Sequence, residues 1–493
     1  MSNVSTFEKK IPSGELFGHP RGLFTLFFTE MWERFAYYGM RALLVLYLVS
    51  AVGLDRAGAL EIYAIFTGLV YLTPLAGGAI ADKILGQRKA IIVGGLLMAL
   101  GLFAIASGEA LLNVGLGLLI VGNGFFKPNI STIVGALYEQ NDPRKDGGFT
   151  IFYMGINLGA LFSPLVCGTL GEKISWGWGF GAAGIGMVAG LIIFLFNSKS
   201  LGNLGFPPSS GDRQFSLTTK DWSHILIWAA ATAAVTYGVI ILWSSLGEEV
   251  TGYIKMIGAV LGVIALVFII ANNTKGGDEW SRVGVIFILA FFNIFFWAGF
   301  EQAGGTFNLF ADGRTDRVIG FLNWEIPTTY FQSINPVFIL ALAPAFDMLW
   351  QNLAKTKFNP STPVKFAFGL ILLGVGFFVM NIADSRAVDG NLVSPLWLVT
   401  VYLFHTMGEL CLSPIGLSMI TKLSPTKITA VMMGLWFGSI ALAQYMAGIL
   451  ESLLHNYLPD TPLFLFLTMT SVTGGVLLLL ISPLLSKMMR GIH

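Results

Sequence analysis

The stretch TEMWERFAYYGMR, residues 29–41, lies in an otherwise apolar run from 22 to 52, yet it holds two glutamates, two arginines and two tyrosines. On a helix at about 100° per residue these side chains share an arc of about 140°, and they extend over about 16 Å of a hydrocarbon core about 30 Å thick. They are Glu30, Glu33, Arg34, Tyr37, Tyr38 and Arg41. A charge at the centre of a membrane helix costs roughly 2.5–3.5 kcal/mol, so such residues normally face a cavity and find partners. The stretch predicts a charged stripe facing a cavity; the alternative is a structural Glu/Arg network that ties helices together.

The rest of the chain has the composition of an integral membrane protein. Of its 493 residues, 55% are hydrophobic and 12% are charged, whereas soluble domains carry about 25% charged residues. A membrane-spanning helix needs about 20 apolar residues. Fourteen runs of that kind occur, at 22–52, 58–81, 89–108, 111–137, 147–171, 177–196, 222–246, 251–272, 283–310, 326–351, 364–384, 394–420, 429–452 and 463–486. The sequence therefore predicts an all-α membrane protein with 14 spans.

The Lys and Arg residues are distributed unevenly between the two sides of these spans. Twenty fall on the side that includes both termini, six fall on the other side, and Arg34, Arg41 and Lys127 lie inside predicted spans. Short cytoplasmic loops collect Lys and Arg, so both termini are predicted to be cytoplasmic. Residues 1–22 lack the apolar core of a removable signal peptide, and we interpret them as a cytosolic leader.

The sequence contains no pattern that indicates catalysis or a cofactor. Cys167 and Cys411 both lie within predicted spans, so no disulfide framework is implied. There is no metal-ligand spacing of Cys or His and no GxxxxGK[ST] phosphate-binding loop. Paired carboxylates could in principle perform acid/base chemistry, but nothing resembles a nucleophile with an activating partner. We expect no enzyme activity, no cofactor, no metal and no nucleic-acid partner.

The loop 197–220 is the longest polar connection, and it follows the sixth apolar run. The next two runs contain only Lys255 as a charged residue, so they are predicted to form an inserted hairpin at 221–280 that lines no polar pathway. Removing the hairpin leaves six spans in 1–196 and six in 281–493. The predicted organisation is therefore two six-helix bundles joined by a cytoplasmic linker and a membrane hairpin.

The two predicted halves share a turn pattern. GGAIADKILGQRK follows the second span and APAFDMLWQNLAKTK follows the eighth, and each has an acid, Asp82 or Asp347, before basic residues. The pair resembles the repeated loop of the major facilitator superfamily, whose six-helix halves rock around a central site near the bilayer midplane.

Few other ionisable residues lie inside the predicted spans. Lys127 lies in GNGFFKPN, Glu301 in FWAGFEQAGG and Glu409 in HTMGELCLSP. The buried cations fall in the N-terminal half and the lone acids in the C-terminal half, so a cavity between the halves would be bipolar and would suit a zwitterion. Asn157 and Asn335 add amides that can donate to and accept from a peptide; the alternative for each is a hydrogen bond that bridges helices.

Five segments together carry a family resemblance: TEMWERFAYYG (29–39), GGAIAD (77–82), GNGFFKPN (122–129), FYMGINLG (152–159) and FWAGFEQAG (296–304). They resemble the bacterial proton-dependent oligopeptide transporter (POT/PTR2) family of the major facilitator superfamily. The resemblance extends over nearly the whole chain and includes the two-helix insert of bacterial members. It implies a major facilitator fold of six plus six spans with that insert, and it implies import of di- and tripeptides together with protons.

The resemblance also implies roles for individual residues. Proton coupling is implied for Glu30, Glu33, Arg34, Lys127 and Glu301. Peptide binding is implied for Tyr38, Arg41, Tyr71, Lys127, Asn157, Trp297, Glu301, Asn335, Glu409, Trp436 and Phe437. In this scheme the cations attract the peptide carboxylate, the amides and Glu301 receive its amino end, and the tyrosines contact the peptide. Trp297, Trp436 and Phe437 would shape side-chain pockets, although aromatic residues in membrane helices usually face lipid or pack against other helices.

The charges also suggest how proton and peptide could be coupled. Desolvation favours the neutral form of a buried carboxylate and a neighbouring cation favours its charged form, so moving the cation can switch the carboxylate. We expect Glu301 to pair with Arg41, and Glu409 with Lys127, when a gate shuts. A peptide carboxylate would compete for the cations and leave the glutamates prone to protonation, which makes the two affinities reciprocally dependent.

One histidine lies well inside a predicted span, His405, one turn before Glu409. Histidine is the usual group that titrates near neutral pH. We nevertheless interpret His405 as a hydrogen-bonded helix contact.

The sequence therefore predicts an inner-membrane symporter of a bacterium that imports di- and tripeptides with protons by alternating access, as a functional monomer in the lipid bilayer. A transporter of nitrate, another small anion or another zwitterion is one rival, and Glu301 opposite the cations favours peptides. A nutrient receptor that signals without transport is the other rival. A receptor would be expected to carry a cytosolic signalling domain, and the longest loop is only the 197–220 connection.

Overall fold

The computed structural model describes residues 14–139, 142, 144–206, 218–245, 264, 266–425 and 427–491. Ten stretches within them are helical, long and apolar enough to cross a membrane. The strands of the described residues are two short antiparallel hairpins, β1 (Glu15–Leu16) with β2 (His19–Pro20) and β3 (Val318–Ile319) with β4 (Trp324–Glu325). The architecture is that of an all-α membrane protein, as predicted.

The helices follow most of the predicted apolar runs. In chain order they are α1 (Arg21–Ser50), α2 (Arg56–Leu72), α3 (Pro74–Ile80), α4 (Gln87–Ala106), α5 (Leu112–Ala136), α6 (Lys145–Lys173), α7 (Trp176–Phe196), α8 (Thr219–Ser245), α9 (Gly276–Phe300), α10 (Thr306–Arg314), α11 (Ile334–Ala354), α12 (Thr362–Arg386), α13 (Leu396–Leu423), α14 (Thr429–Tyr457) and α15 (Leu463–Met488). The first run of the inserted hairpin corresponds to α8. The second run, 251–272 with Lys255, falls largely outside the described residues.

Two predicted spans are interrupted in the structure. The run 58–81 is divided into α2 and α3 at Thr73, because the following Pro74 has no amide hydrogen to donate to the preceding turn. The run 283–310 is divided into α9 and α10 by the 3-10 turn Glu301–Gly304, and Gly305 then leaves helical geometry with φ −115° and ψ −93°. The second break places Glu301 at the end of α9 and not in the middle of a continuous helix.

Packing divides the described residues into two compact units. The first unit holds α1 up to Leu43 together with the chain from Leu72 to Ile240. The second unit holds Leu44–Tyr71 together with the chain from Ile241 onward. The predicted bundle boundaries at 196, 220 and 280 remain a proposal.

In the first unit, α4 packs against α5 and α7. Glycines let the backbones of α4 and α5 approach closely: a Cβ atom on Gly94 would lie 2.5 Å from Gly122 O, and one on Gly101 would lie 2.7 Å from Gly115 O. Small residues at such crossings are typical of membrane helices, whose association depends on close packing because lipid is as apolar as the side chains.

Gly94→Ala is expected to lower the free energy of unfolding by about 1–3 kcal/mol, the usual cost of forcing extra volume into a packed interface. The added Cβ would meet the backbone of α5, which cannot rotate away. Thermal unfolding in detergent measures the effect. Gly181→Ala on α7 is the matched control, because a Cβ atom there would meet nothing within 4 Å. Equal stability of the two variants would contradict the packing assignment.

Polar contacts connect the β1–β2 hairpin and α8 to the rest of the first unit. His19 Nδ1 lies 2.8 Å from Tyr138 Oη, and burial raises the pKa of Tyr138 to about 12, so this phenol keeps its proton at neutral pH. At the start of α8, Thr218 N donates to the Asp221 carboxylate at 2.9 Å. The same carboxylate forms a buried ion pair of 2.8 Å with Lys89 Nζ on α4. The first helix of the insert is thus anchored to the first unit.

In the second unit, α12 packs against α13 and α15, and α9 packs against α14 and α15. The segment Leu44–Tyr71 belongs to this unit, and its helix α2 contacts α14. A Cβ atom on Gly448 would lie 2.4 Å from Leu60 O, and Arg56 Nη2 donates to Glu451 Oε2 at 3.0 Å. Helix α2 therefore packs against α14.

Candidate functional site

The charged stripe of α1 forms the centre of a buried ion-pair network in the first unit. Glu30 and Glu33 are 0% exposed and Arg34 is 5% exposed. Arg34 Nη2 donates to Glu33 Oε1 at 2.6 Å, and Arg34 Nε donates to Glu33 Oε2 at 2.5 Å. The same Nε lies 3.4 Å from Glu30 Oε1. One guanidinium therefore binds both acids, and its planar fork makes the bidentate contact that a lysine could not.

Lys127 of α5 completes the network. Its Nζ forms an ion pair with Glu30, and the Lys127 side chain is 30% exposed whereas that of Glu30 is 0% exposed. Lys127 is thus the member of the network that the protein encloses least. When all four groups are ionised, two carboxylates balance two cations, so the network has no net charge. The structure brings Lys127 of α5 together with Glu30, Glu33 and Arg34 of α1, which the sequence places on a different predicted span.

Asn123 belongs to the same network and was missed in the sequence. Its Nδ2 donates to Glu33 Oε1 at 3.4 Å, and the residue is 3% exposed. The signal was present, because Asn123 precedes Lys127 by four residues and therefore lies on the same face of α5. Among the described residues, Glu30 Oε2 has no hydrogen-bond partner. This leaves one buried carboxylate oxygen with unused acceptor capacity.

Tyr38 connects the network to the next turn of α1. The Cζ atom of Arg34 lies 5.9 Å from the centroid of the Tyr38 ring, and that of Arg41 lies 5.7 Å from it. A ring within about 6 Å of a guanidinium attracts it through the negative face of the ring. Tyr37 takes a similar position at 5.1 Å from Arg34 Cζ. The predicted stripe is therefore continuous from Glu30 to Arg41, and Arg41 itself is buried.

Asn157 of α6 also lies in the first unit and is 6% exposed. Its Nδ2 donates to Tyr153 O of its own helix at 3.0 Å. Within the part of the chain that the structure describes, Asn157 Nδ2 therefore bonds to its own helix, and no hydrogen bond from Nδ2 to another helix is found. The amide oxygen is the atom that Asn157 could offer to a peptide ammonium.

In the second unit, Asn335 joins α11 to α13. Its Nδ2 lies 3.0 Å from Glu409 Oε2 and 3.0 Å from Thr406 Oγ1. Glu409 is 9% exposed. Thr406 was not among the residues predicted from the sequence, although it precedes Glu409 by three residues and shares its helix face. Here the bridging alternative is realised, and it holds one of the predicted acids in place.

Glu301 lies at the break between α9 and α10 and is 3% exposed. The next residue, Gln302, fixes this turn by donating through Nε2 to Ala447 O of α14 at 2.9 Å. Trp297 is one turn before Glu301 and packs edge-to-face against Phe300, with ring centroids 5.3 Å apart. Glu301 therefore lies on a turn that is hydrogen-bonded to α14.

The other predicted aromatic residues lie in or against the core of the second unit. Trp436 is 3% exposed, and a Cβ atom on Gly416 would lie 2.6 Å from its ring. Tyr71 and Phe437 are partly buried and pack against the same core. Trp436 is almost fully buried, so only a small part of its ring could face a side-chain pocket, whereas Tyr71 and Phe437 are partly buried and retain more surface for a ligand.

His405 is 1% exposed and packs among phenylalanine rings. Its ring centroid lies 4.7 Å from that of Phe377 and 5.7 Å from that of Phe307. Among the described residues its Nε2 has no hydrogen-bond partner. The surroundings of His405 are therefore mainly aromatic packing, and no titrating role is assigned to it.

Each unit thus holds ionisable side chains buried inside apolar, membrane-length helices. Such residues are costly to insert and mark pathways for substrates and ions. The fold and these sites define the protein as a membrane transporter.

The comparison with known proteins identifies the family. Residues 88–461 match the model of the POT family, and the chain belongs to that family. It is similar to the peptide transporter YePEPT of Yersinia enterocolitica, with 40% identity over 89% of each chain. It is also similar to the di-/tripeptide transporter of Lactococcus lactis, with 35% identity over 100% of each chain. A solved structure of a peptide transporter POT mutant in complex with alafosfalin has 39% identity and a TM-score of 0.84 over 98% of each chain. The predicted family and the predicted all-α transporter fold are confirmed. The inserted hairpin at 221–280 remains a prediction, because its second run falls largely outside the described residues.

Proposed function

We propose that the protein is a proton-coupled symporter that imports di- and tripeptides across the bacterial inner membrane by alternating access, as a monomer with both termini in the cytoplasm. The observation that carries this proposal is the separation of charge. On the α1 stripe and at Lys127, the first unit holds one more cation than acid, because Arg41 adds to the balanced network of Glu30, Glu33, Arg34 and Lys127. The second unit holds the buried acids Glu301 and Glu409. The named substrates of the Yersinia and Lactococcus relatives support the same conclusion.

The two ends of a peptide match the two groups of charges. Arg41 and Lys127 attract the carboxylate, and Glu301 with the amides Asn157 and Asn335 receives the ammonium group. Tyr38 and Tyr71 contact the backbone, and Trp297, Trp436 and Phe437 bound the side-chain pockets. A site built for both ends rejects an ion that offers only one, since the other charged group would be left buried and unpaired.

The Glu30–Lys127 ion pair offers a physical route to coupling. A peptide carboxylate that draws Lys127 toward itself removes one of the two counterions of Glu30 and leaves Arg34 to be shared by Glu30 and Glu33. Two buried carboxylates with one cation favour uptake of a proton. Glu30 Oε2, which lacks a partner among the described residues, can hold that proton. The pairs Glu301–Arg41 and Glu409–Lys127 belong to other steps of the cycle and remain predictions.

The test is uptake of labelled dialanine into proteoliposomes, with and without an inward proton gradient. Unlabelled tripeptide, tetrapeptide and nitrate serve as competitors. We expect gradient-dependent accumulation that tripeptide blocks and that tetrapeptide and nitrate do not. Binding without accumulation would indicate the receptor instead, and competition by nitrate alone would indicate an anion transporter.

Asn335→Ala is expected to raise the KM for dialanine about tenfold, because a hydrogen bond to a charged group contributes about 1.5–3 kcal/mol and Glu409 would lose the donor that orients it. Initial rates of uptake over a range of peptide concentrations measure the effect. Asn272→Ala is the matched control, since Asn272 is exposed and its Nδ2 donates to Phe268 O of its own helix at 3.0 Å. An unchanged KM in Asn335→Ala would remove Asn335 and Glu409 from the peptide site.

A further inference from the structure

A cleft of about 610 Å³ lies in the second unit, at the end of α11 and the beginning of α12. Its volume falls within the range of about 300–1,000 Å³ that is typical of small-molecule sites. Phe346, Leu349 and Leu353 of α11 line one wall, and Val364, Phe368 and Leu372 of α12 line the other. We call it the α11–α12 cleft. It shares no residue with the peptide site described above.

The lining is apolar along the helices and polar at one end only. The residues of α12 repeat every four positions over about 12 Å, so they form one continuous stripe of the helix. Leu349 and Phe368 are 45% and 42% exposed. An open apolar slot of this length in a membrane protein suits a hydrocarbon chain, because no polar group along its walls needs a partner.

Two lysines and an indole N–H lie at one end of the cleft, where the α11–α12 loop closes it. Lys357 lines the cleft there. The Lys365 Nζ atom lies 4.8 Å from the centroid of the Trp350 ring, and Trp350 also lines the cleft. Among the described residues, Trp350 Nε1 is buried without a hydrogen-bond partner. Two ammonium groups and an indole N–H at the end of an apolar slot are complementary to a phosphate ester attached to acyl chains.

We propose that the α11–α12 cleft binds an anionic phospholipid of the cytoplasmic leaflet, with an acyl chain between α11 and α12 and the phosphate near Lys357, Lys365 and Trp350. Basic pockets between membrane helices on the cytoplasmic side are known to hold anionic headgroups. The leaflet follows from the proposed orientation, which places the α11–α12 loop in the cytoplasm. The proposal goes beyond peptide transport, because it assigns the protein a lipid ligand at a separate site.

Native mass spectrometry of the full chain in detergent tests the proposal, with phosphatidylglycerol and phosphatidylcholine as competing probes. Each lysine near an anionic headgroup contributes about 1 kcal/mol, which is about fivefold in affinity. The protein is therefore expected to retain phosphatidylglycerol roughly 25-fold more tightly than phosphatidylcholine. The double variant Lys357→Gln/Lys365→Gln should lose that preference. The matched control is Lys355→Gln, which removes a lysine from the same loop that does not line the cleft.

A second measurement locates the acyl chain. Phosphatidylglycerol brominated at the acyl carbons nearest the glycerol should quench the fluorescence of Trp350, which lies at the phosphate end of the cleft, and the quenching is read as the difference between the native protein and Trp350→Phe. Equal retention of the two lipids by the native protein would overturn the proposal. A preference that survives in the double variant, or a Trp350 signal that the brominated lipid leaves unquenched, would overturn it as well, because the lipid would then bind elsewhere.

Discussion

Glu301→Gln is expected to abolish proton-driven accumulation of dialanine while leaving peptide counterflow, which needs no net movement of protons. A membrane potential of about 100 mV supplies about 2.3 kcal/mol per proton and each pH unit about 1.4 kcal/mol, enough to concentrate a neutral peptide by two to three orders of magnitude. In the variant the ratio of internal to external peptide should fall to about 1. The physical reason is that the amide keeps the shape of the buried carboxylate but cannot gain or lose a proton.

The control for this experiment is an acid outside the proposed site. Glu109 lies exposed on the 3-10 turn before α5, so Glu109→Gln should accumulate dialanine as the native protein does. Counterflow should be measured for both variants, because it separates loss of coupling from loss of folding. Full accumulation by Glu301→Gln would mean that the transported proton binds elsewhere, and Glu30 and Glu33 would then be the next candidates.

The second large effect is expected from Lys127→Gln. This change leaves the buried network with a net charge of −1, because Glu30 loses the Lys127 ammonium and keeps only the 3.4 Å contact with Arg34 Nε, which Glu33 shares. Removing one partner of a buried pair typically costs about 3–5 kcal/mol of stability, and we expect the lower end because the Lys127 side chain is 30% exposed. Proton-driven uptake should also be lost, since the proposed coupling moves Lys127 between Glu30 and the peptide. Denaturant titration in detergent and proteoliposome uptake measure the two effects.

The double variant Glu30→Gln/Lys127→Gln distinguishes stability from coupling. It restores the charge balance of the network, because Glu33 and Arg34 still form their bidentate pair. The double variant should therefore regain most of the stability that Lys127→Gln loses, but it should not regain proton-driven uptake. A double variant that recovered uptake would show that the Glu30–Lys127 pair is a structural tie between α1 and α5, which was the alternative reading of the stripe.

The α1 stripe could be predicted from the sequence because charges are rare in membrane helices and helical periodicity places them on one face. Lys127, Glu301 and Glu409 could be identified as candidate site residues for the same reason, because charges are rare in membrane helices. The pairing of Lys127 with Glu30 could not be predicted, since spacing along one helix says nothing about which face of another helix lies opposite. Asn123 could have been found by extending the stripe argument from α1 to α5.

The breaks in the helices were harder to predict. Hydropathy is continuous through Thr73 and through Glu301, so both regions were assigned to single spans. Pro74 was a local signal for the first break. The second break depends on contacts that are distant in sequence, because Gln302 donates to Ala447 O. Thr406 was missed for a similar reason, since its partner Asn335 lies on another helix.

Reversed coupling tests the reciprocal linkage of proton and peptide. Proteoliposomes with equal pH on both sides, a potential clamped at zero and a trapped pH-sensitive dye receive external dialanine. The interior is expected to acidify as dialanine enters, and Glu301→Gln vesicles are expected to exchange dialanine without acidifying. Net entry of dialanine into native vesicles with no change in internal pH would show that peptide moves without a proton.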